Sequence, residues 1–306
     1  MLNGRRQIDG DTEISKSDSS YQCLQERRSS QLSIRGYEYS IYEWGAADAP
    51  LFFYLHGWAD TGASFQFVVD ALDSGWRVIA PDWRGFGRSA QRSEAYWFPD
   101  YLADLHEILN HYSQQAPVAL VGHSMGGNIA SLYAGTMPER VAAVVNIEGF
   151  GLADSDPEDA PQRYRSWLQA IEARPQFSSY PSYAALASRI QQRNPGLDAA
   201  KADFVARQWA TLDGSSVRLR ADPNHKLPNP VLYRRAEAEA CWRNISAETL
   251  LVSGDRSPFA AQLGNIAELP YPNSATASIS GVGHMIHFEA PARLAQLIEQ
   301  FLKKTL

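Results

Sequence analysis

Cysteine is nearly absent: the 306 residues hold two, Cys23 and Cys241, far apart in the chain. Such a pair builds no disulfide framework and fits a reducing compartment, or no redox role at all. A basic excess is missing as well. Lys and Arg total 28 against 34 Asp and Glu, a net charge of −6, and mild acidity argues against a surface built for nucleic acid or an anionic membrane. No apolar run is long enough to span a bilayer, and the opening Met1-Leu2-Asn3-Gly4-Arg5-Arg6-Gln7 has no apolar signal-peptide core. The expectation is a cytoplasmic protein that binds neither nucleic acid nor membrane. What is present is ordinary: 44% hydrophobic and 20% charged residues can bury a sizeable core in one large α/β domain or two smaller ones.

Ile8 to Ser30 is rich in Asp, Ser, Glu, Gln and Arg without a sustained period, and reads as a mobile tail or an arm laid on the surface. Residues 1–30 are therefore set apart as a polar N-terminal segment. From Gln31 the pattern turns to alternation, with Leu32, Ile34 and Tyr37 followed by Tyr39 to Trp44, which predicts two antiparallel strands at a sheet edge. Leu51 to Leu55, Trp76 to Ala80, Val118 to Val121 and Val141 to Ile147 are short, nearly continuous apolar runs, as expected of strands buried on both faces of a parallel sheet. Helices are predicted between them, through Phe65–Val69 and from about Pro99 to Tyr112. Residues 152–242 then become rich in Ala, Arg, Gln, Trp and Pro with helical spacing and no buried-strand pattern. Helices are expected around Gln162–Arg174, Tyr183–Arg193, Asp198–Thr211 and Val231–Trp242. Strands resume at Thr249–Val252 and Ala275–Ile279, and an amphipathic helix runs from about Ala290 to Leu302. The alternation predicts a mostly parallel sheet with helices on both faces, and the middle stretch reads as a helical insertion into it.

The most informative stretch is Gly122-His123-Ser124-Met125-Gly126-Gly127, between the apolar run at Val118 and a helical pattern through Ile129 and Leu132. A strand turning sharply into a helix needs side-chain-free positions on either side of the apex. It lifts the Ser124 hydroxyl off the sheet edge, above helix amides that can hold an oxyanion. The competing reading is a serine in a plain tight turn; the strand before it and the helix after it favour a nucleophile. In parallel sheets, active groups gather on loops beyond the strands' C-terminal ends. Ser124, Glu148, Asp255 and His284 all fall there.

From about Gln31 onward the chain resembles the α/β-hydrolase family. The matching motifs are His56-Gly57, Asp82-x-Arg84-Gly85-x-Gly87-x-Ser89, Gly122-x-Ser124-x-Gly126-Gly127 and Gly283-His284. The resemblance implies an eight-stranded sheet formed by residues 31–151 and 243–306, with 152–242 as a cap. It also implies a nucleophile, an acid and a histidine base in that chain order. His284 is the base among seven histidines, because it alone lies between the final strand's glycines and the last helix. The oxyanion donors implied by position are the amides of Met125 and Trp58. No metal or cofactor is called for, and His284-x-x-His287 lacks the glutamate of a zinc helix motif.

The acid is where the chain departs from the family. The usual position, a few residues beyond the strand at Leu250–Val252, is Ser257. Asp255 lies two residues away from it. Glu148 instead ends the strand expected beside that of Ser124, where some relatives, the haloalkane dehalogenases among them, carry a glutamate. A carboxylate closing an apolar run is costly unless a cation or donor meets it. Glu148 is therefore preferred, Asp255 is the alternative, and a salt bridge from Glu148 to a cap arginine is the structural competitor. Asp82 and Arg84 are read as scaffold, and Trp167, Trp209 and Trp242 of the cap as core. Trp58, Trp83, Phe86, Trp97 and Phe150 suggest an aromatic-walled pocket, with Trp83 and Phe150 as substrate contacts. The resemblance thus implies a serine esterase forming an acyl-enzyme on a small, apolar or aromatic ester. Lactone, amide or carbon–carbon bond hydrolysis by the same triad, or non-catalytic ligand binding, are the alternatives. Substrate identity and oligomeric state have no signature in the sequence.

Overall fold

The computed structural model describes residues 20–73, 75–89, 93–259 and 264–306; most of the N-terminal segment lies outside them. The first strand, β1 (Arg28–Ile34), begins inside the stretch read as a tail and pairs antiparallel with β2 (Tyr37–Trp44). The residues just before it form an arm against the body of the protein. The Tyr21 ring packs 4.8 Å from that of Phe67, and its hydroxyl donates to Asp70 Oδ2 at 2.7 Å.

The remaining strands are those the apolar runs predict: β3 (Leu51–Leu55), β4 (Arg77–Pro81), β5 (Val118–His123) and β6 (Val141–Ile147). With β10 (Glu248–Gly254) and β11 (Ser274–Ile279) they complete an eight-stranded sheet in the order β1-β2-β4-β3-β5-β6-β10-β11. The β1–β2 and β2–β4 pairs are antiparallel and all others are parallel. Alternate residues of each strand serve opposite faces. Phe53, Leu55 and Leu120 pack under α2 (Phe98–Ser113) and α3 (Met125–Thr136), whereas Phe52, Tyr54 and Val121 pack under α1 (Gln66–Val69) and the closing helix α9 (Pro291–Thr305). That two-sided burial is why these strands read as continuous apolar runs.

The segment between β6 and β10 carries α4 (Ala160–Ala173), α5 (Tyr183–Arg193), α6 (Ala199–Trp209) and α7 (Arg235–Arg243). Ser182 and Asp198 cap α5 and α6 by accepting the amides of Ala185 and Lys201. It also holds three short strands that the helical reading missed. These are β7 (Ser179–Tyr180), β8 (Ala210–Asp213) and β9 (Ser216–Leu219), in the order β7-β9-β8. Leu186, Ile190 and Val205 form a third apolar cluster, shared with Phe67 and with Phe288 of α8 (Ile286–Glu289), so the insertion is packed onto the sheet domain through apolar contact. No helix among the described residues is long and apolar enough to cross a membrane.

Close approach of α3 to the sheet depends on glycine. A Cβ on Gly126 would lie 1.9 Å from the Leu55 carbonyl oxygen, and backbone cannot swing aside as a side chain can. Gly126→Ala is expected to destabilise the fold by about 3 kcal/mol or more, beyond ordinary overpacking. Thermal denaturation checks this; an unchanged melting temperature would contradict the packing.

Candidate active site

Ser124 stands between β5 and α3 with φ 51° and ψ −114°. Positive φ is uncommon for a residue with a Cβ, and here the surroundings enforce it. The Ser124 amide donates to Ile147 O at 2.7 Å, and its carbonyl accepts the Asn128 amide at 3.0 Å. Added Cβ atoms would lie 2.4 Å from Gly126 O at Gly122 and 2.6 Å from Ser124 O at Gly149. One on Gly57 would come within 3.2 Å of Ser124 Cβ. Two loops, those of Gly57 and Gly149, therefore close on the serine because these glycines present no side chain to it, while Gly122 lets β5 and α3 meet beneath it.

Glu148 follows β6 directly, also at positive φ, 60°. Its carboxylate is buried at 4% exposure and fully provided with partners. Oε1 accepts the Gly254 amide at 2.7 Å, while Oε2 accepts the Ser257 hydroxyl and lies 3.1 Å from His284 Nδ1. An ionised carboxylate can only accept, so Nδ1 of His284 carries the proton and Nε2 is the basic nitrogen. The serine at the usual acid position thus donates to a glutamate arriving from the neighbouring strand. Asp255, by contrast, is exposed and accepts the Gly281 amide at 2.7 Å, stapling the loop before His284. The contacts of Glu148 do not include a cap arginine among the described residues. The carbonyl of His284 is itself held, 2.9 Å from His123 Nε2.

The loop after β3 carries the other candidate donor. Trp58 is 49% exposed and lies beside the serine turn, while His56 before it is wholly buried. His56 Nδ1 donates to Gly57 O at 2.7 Å and Nε2 accepts the Trp83 amide at 2.8 Å. Burial pushes its pKa down to about 4, despite the nearby Asp60 charge, so it is a neutral brace. The scaffold reading of the Asp82 loop fits its contacts. Arg84 Nε and Nη2 donate to Asp104 at 2.5 Å each, and Asp82 accepts the Gly62 and Arg88 amides at 2.8 and 2.7 Å. Asp60, His123 and His287, all buried, place potential ligand atoms within 4.8 Å of one another. Zinc accepts such donors, yet Asp60 already accepts from Ser64 and Trp209 and faces His287, so its carboxylate is satisfied without a cation.

A cavity of about 370 Å³ opens over Ser124 and Met125 and runs between Trp58, Trp97, Tyr96 and Trp167. Trp83 and Phe150 do not line it. They are 0% and 1% exposed and belong to the core, Trp83 pinned by its indole N–H to His56 O, so their expected role as substrate contacts is corrected. Trp167, read as cap core, instead faces the cavity from α4, a helix with no buried residue. His225 comes from the insertion and has no recognisable motif around it in the sequence. Its ring stacks between Phe86 and Tyr96, with centroids 3.7 and 3.6 Å away.

Burial pushes the His225 pKa down to about 3, against a weaker upward pull from the Arg84 carbonyl. The folded state therefore binds this proton less well than the unfolded chain. Stability is untouched above the ordinary pKa of about 6.5 and is lost as pH falls below it. His225→Phe, which keeps the stack, should reduce the acid-side slope by about one proton, or about 1.4 kcal/mol per pH unit between roughly pH 6 and 5. Urea unfolding of both proteins at stepped pH measures it; equal slopes would contradict the neutral, buried imidazole.

The chain is 25% identical over 277 residues to a serine hydrolase-like protein of Danio rerio, covering 85% of this chain and 83% of the relative. It is 33% identical over 136 residues to a bifunctional esterase/perhydrolase of Acinetobacter calcoaceticus, covering 42% and 48% of the two chains. Among solved structures, the thioesterase domain from the curacin biosynthetic pathway superposes with a TM-score of 0.81 at 26% identity, over 90% of this chain and 99% of that one. The family model for the alpha/beta hydrolase fold matches residues 50–291, from β3 to the start of α9. A sheet of this order, a strained serine turn at the end of β5 and a match over most of its length make this chain a member of the α/β-hydrolase family.

Proposed function

We propose that the chain is a serine hydrolase that cleaves carboxylic esters, with Ser124 as nucleophile, His284 as base and Glu148 as the acid. One arrangement carries this reading: the serine on its strained turn, with a buried carboxylate holding Nδ1 of His284 and leaving Nε2 free to take a proton. Ser124 Oγ attacks the ester carbonyl as His284 Nε2 accepts its proton. The amides of Met125 and Trp58 stabilise the oxyanion. The alkoxide leaves with the proton from His284, and a water activated by the same nitrogen releases the acid from the acyl-enzyme. Residues 152–242 act as the cap that shapes the substrate cavity. A fluorophosphonate probe followed by peptide mapping tests the reading. Labelling of Ser124 in the folded protein is the expected result, and labelling elsewhere, or none, would overturn it.

The cavity favours uncharged acyl groups. Among the described residues lining it, Glu94 is the sole formally charged side chain apart from His225, which burial keeps neutral. No described lining residue is a cation that would pair with an anionic acyl chain, and an unpaired charge in an apolar pocket costs several kcal/mol. The p-nitrophenyl ester of butyrate should therefore be cleaved at least about tenfold better in kcat/KM than the hemisuccinate ester. Equal values would remove the case for an apolar-selective pocket. Including lactones and anilides in the panel separates ester cleavage from the other acyl substrates open to the same triad.

A further inference from the structure

The Asp60 side chain is 1% exposed, yet it makes contacts to three parts of the site. Oδ1 accepts the indole N–H of Trp209, at the end of α6 in the insertion, at 2.7 Å. Oδ2 lies 3.0 Å from His287 Nε2 and accepts the Ser64 hydroxyl at 2.9 Å. Asp60's own amide donates to Gly57 O at 3.3 Å, closing the turn that carries Trp58, in which Ala59 takes φ 58°. His287 sits in α8, one turn beyond His284. Its ring lies 4.5 Å from that of His123, the residue that holds the His284 carbonyl.

Burial alone would push the Asp60 pKa up. The hydrogen bond and charge of His287, with the Trp209 bond, outweigh it and keep the carboxylate below its usual range. A buried ion of this kind adds little net stability compared with an apolar filling. Its partners come from sequence positions 149 and 227 residues away. With Asp60's own turn they join three parts of the fold: the insertion, the loop carrying Trp58 and the helix that follows His284.

We propose that Asp60 is a positioning residue through which docking of the cap, by Trp209, sets the alignment of the Trp58 amide and the His284 loop. The inference rests on the serine hydrolase reading above. When α6 is seated, both Asp60 oxygens are held, and the turn bearing Trp58 and the helix following His284 are fixed to one group. Loss of the Trp209 donor leaves the carboxylate held, among the described residues, through its Oδ2 contacts with Ser64 and His287, and the anchor common to both is weakened. Oxyanion donors and a general base are sensitive to displacements on the scale of 1 Å.

Trp209→Phe removes the donor and keeps a ring against Phe288, whose centroid lies 6.0 Å from that of Trp209. With p-nitrophenyl acetate, whose acyl group is small, kcat should fall roughly ten- to a hundredfold with KM within about twofold. The second-order rate of fluorophosphonate labelling at Ser124 should fall in parallel. Asp60→Asn should lose at least as much, and the double variant no more than Asp60→Asn alone, since both break one connection. A Trp209→Phe protein with native far-UV dichroism, a cooperative melt and unchanged kcat overturns the proposal, as do additive losses in the double variant. Should Asp60→Asn not fold, the Trp209→Phe kcat and labelling rate decide it. A wild-type protein that the probe does not label overturns the serine reading itself, and the two failures are thereby told apart.

Discussion

Ser124→Ala should lose ester hydrolysis almost completely, with kcat falling on the order of 10⁶, the scale seen when the serine of another hydrolase is removed. The residue left behind still occupies φ 51°, ψ −114°, because Gly122, Gly126 and Gly149 and the hydrogen bonds at Ser124 N and O hold the turn whatever side chain it bears. Among the described residues, the hydrogen bonds that hold Ser124 in place run through its backbone rather than its hydroxyl. The fold should therefore be kept, with a melting temperature close to the parent's, and ligand affinity in the cavity should persist. That combination separates a nucleophile from a serine in a plain turn. A plain-turn serine would leave activity intact, whereas a structural one would lose stability along with it. Steady-state hydrolysis of p-nitrophenyl butyrate, fluorophosphonate labelling and a thermal melt on the same preparation make the comparison. Residual activity within about tenfold of wild type would mean that the chemistry lies elsewhere, since a non-nucleophilic residue at this position is all that the loss of ten in rate, about 1.4 kcal/mol, would require.

The sheet was legible because its central strands are buried on both faces and so appear as apolar runs, such as Leu51–Leu55 and Val118–Val121. The same cue fails for β8 and β9, four residues each and half exposed, where the helical spacing of α6 runs on through Ala210 and Leu212. The signal available there was Asp213-Gly214-Ser215 between two short runs, with Gly214 at φ 58° in the hairpin turn. Aromatics on loops were legible as a set but not one by one. Trp58 and Trp83 lie on adjacent loops with similar neighbours, and only the fold decides that the first meets solvent while the second sits under His56. Trp167 was hidden for the opposite reason, since α4 has helical spacing but no core to bury it. Asp60 and His287 had no local pattern, their pairing being set by the approach of a loop and a short helix 227 residues apart.

Glu148→Gln should lower kcat by on the order of 10⁴, the cost of removing the orienting acid in another serine hydrolase, while Asp255→Asn should leave it within a few-fold of wild type. The amide is nearly the same size but offers one oxygen and one NH₂ where the carboxylate offers two acceptors. Glu148 meets three donors: the Gly254 amide on Oε1, and the Ser257 hydroxyl with His284 Nδ1 on Oε2. If the glutamine oxygen stays with the Gly254 amide, its NH₂ turns toward Ser257 and His284. Ser257 can rotate its hydroxyl and accept, but the imidazole must then present a lone pair at Nδ1 and carry its proton on Nε2, the tautomer that cannot act as base. If the oxygen turns to His284 instead, an NH₂ is aimed at the Gly254 amide, and two buried donors oppose each other. Either way the loss falls on kcat, with KM for a small ester little changed. Asp255→Asn keeps an oxygen for the Gly281 amide and touches nothing else of the triad. Ser257→Ala separates the remaining possibilities: it removes one donor from Oε2 without touching His284, and should cost far less than Glu148→Gln. A larger loss for Asp255→Asn than for Glu148→Gln would hand the acid's role to Asp255 and leave Glu148 as a brace between β6 and β10.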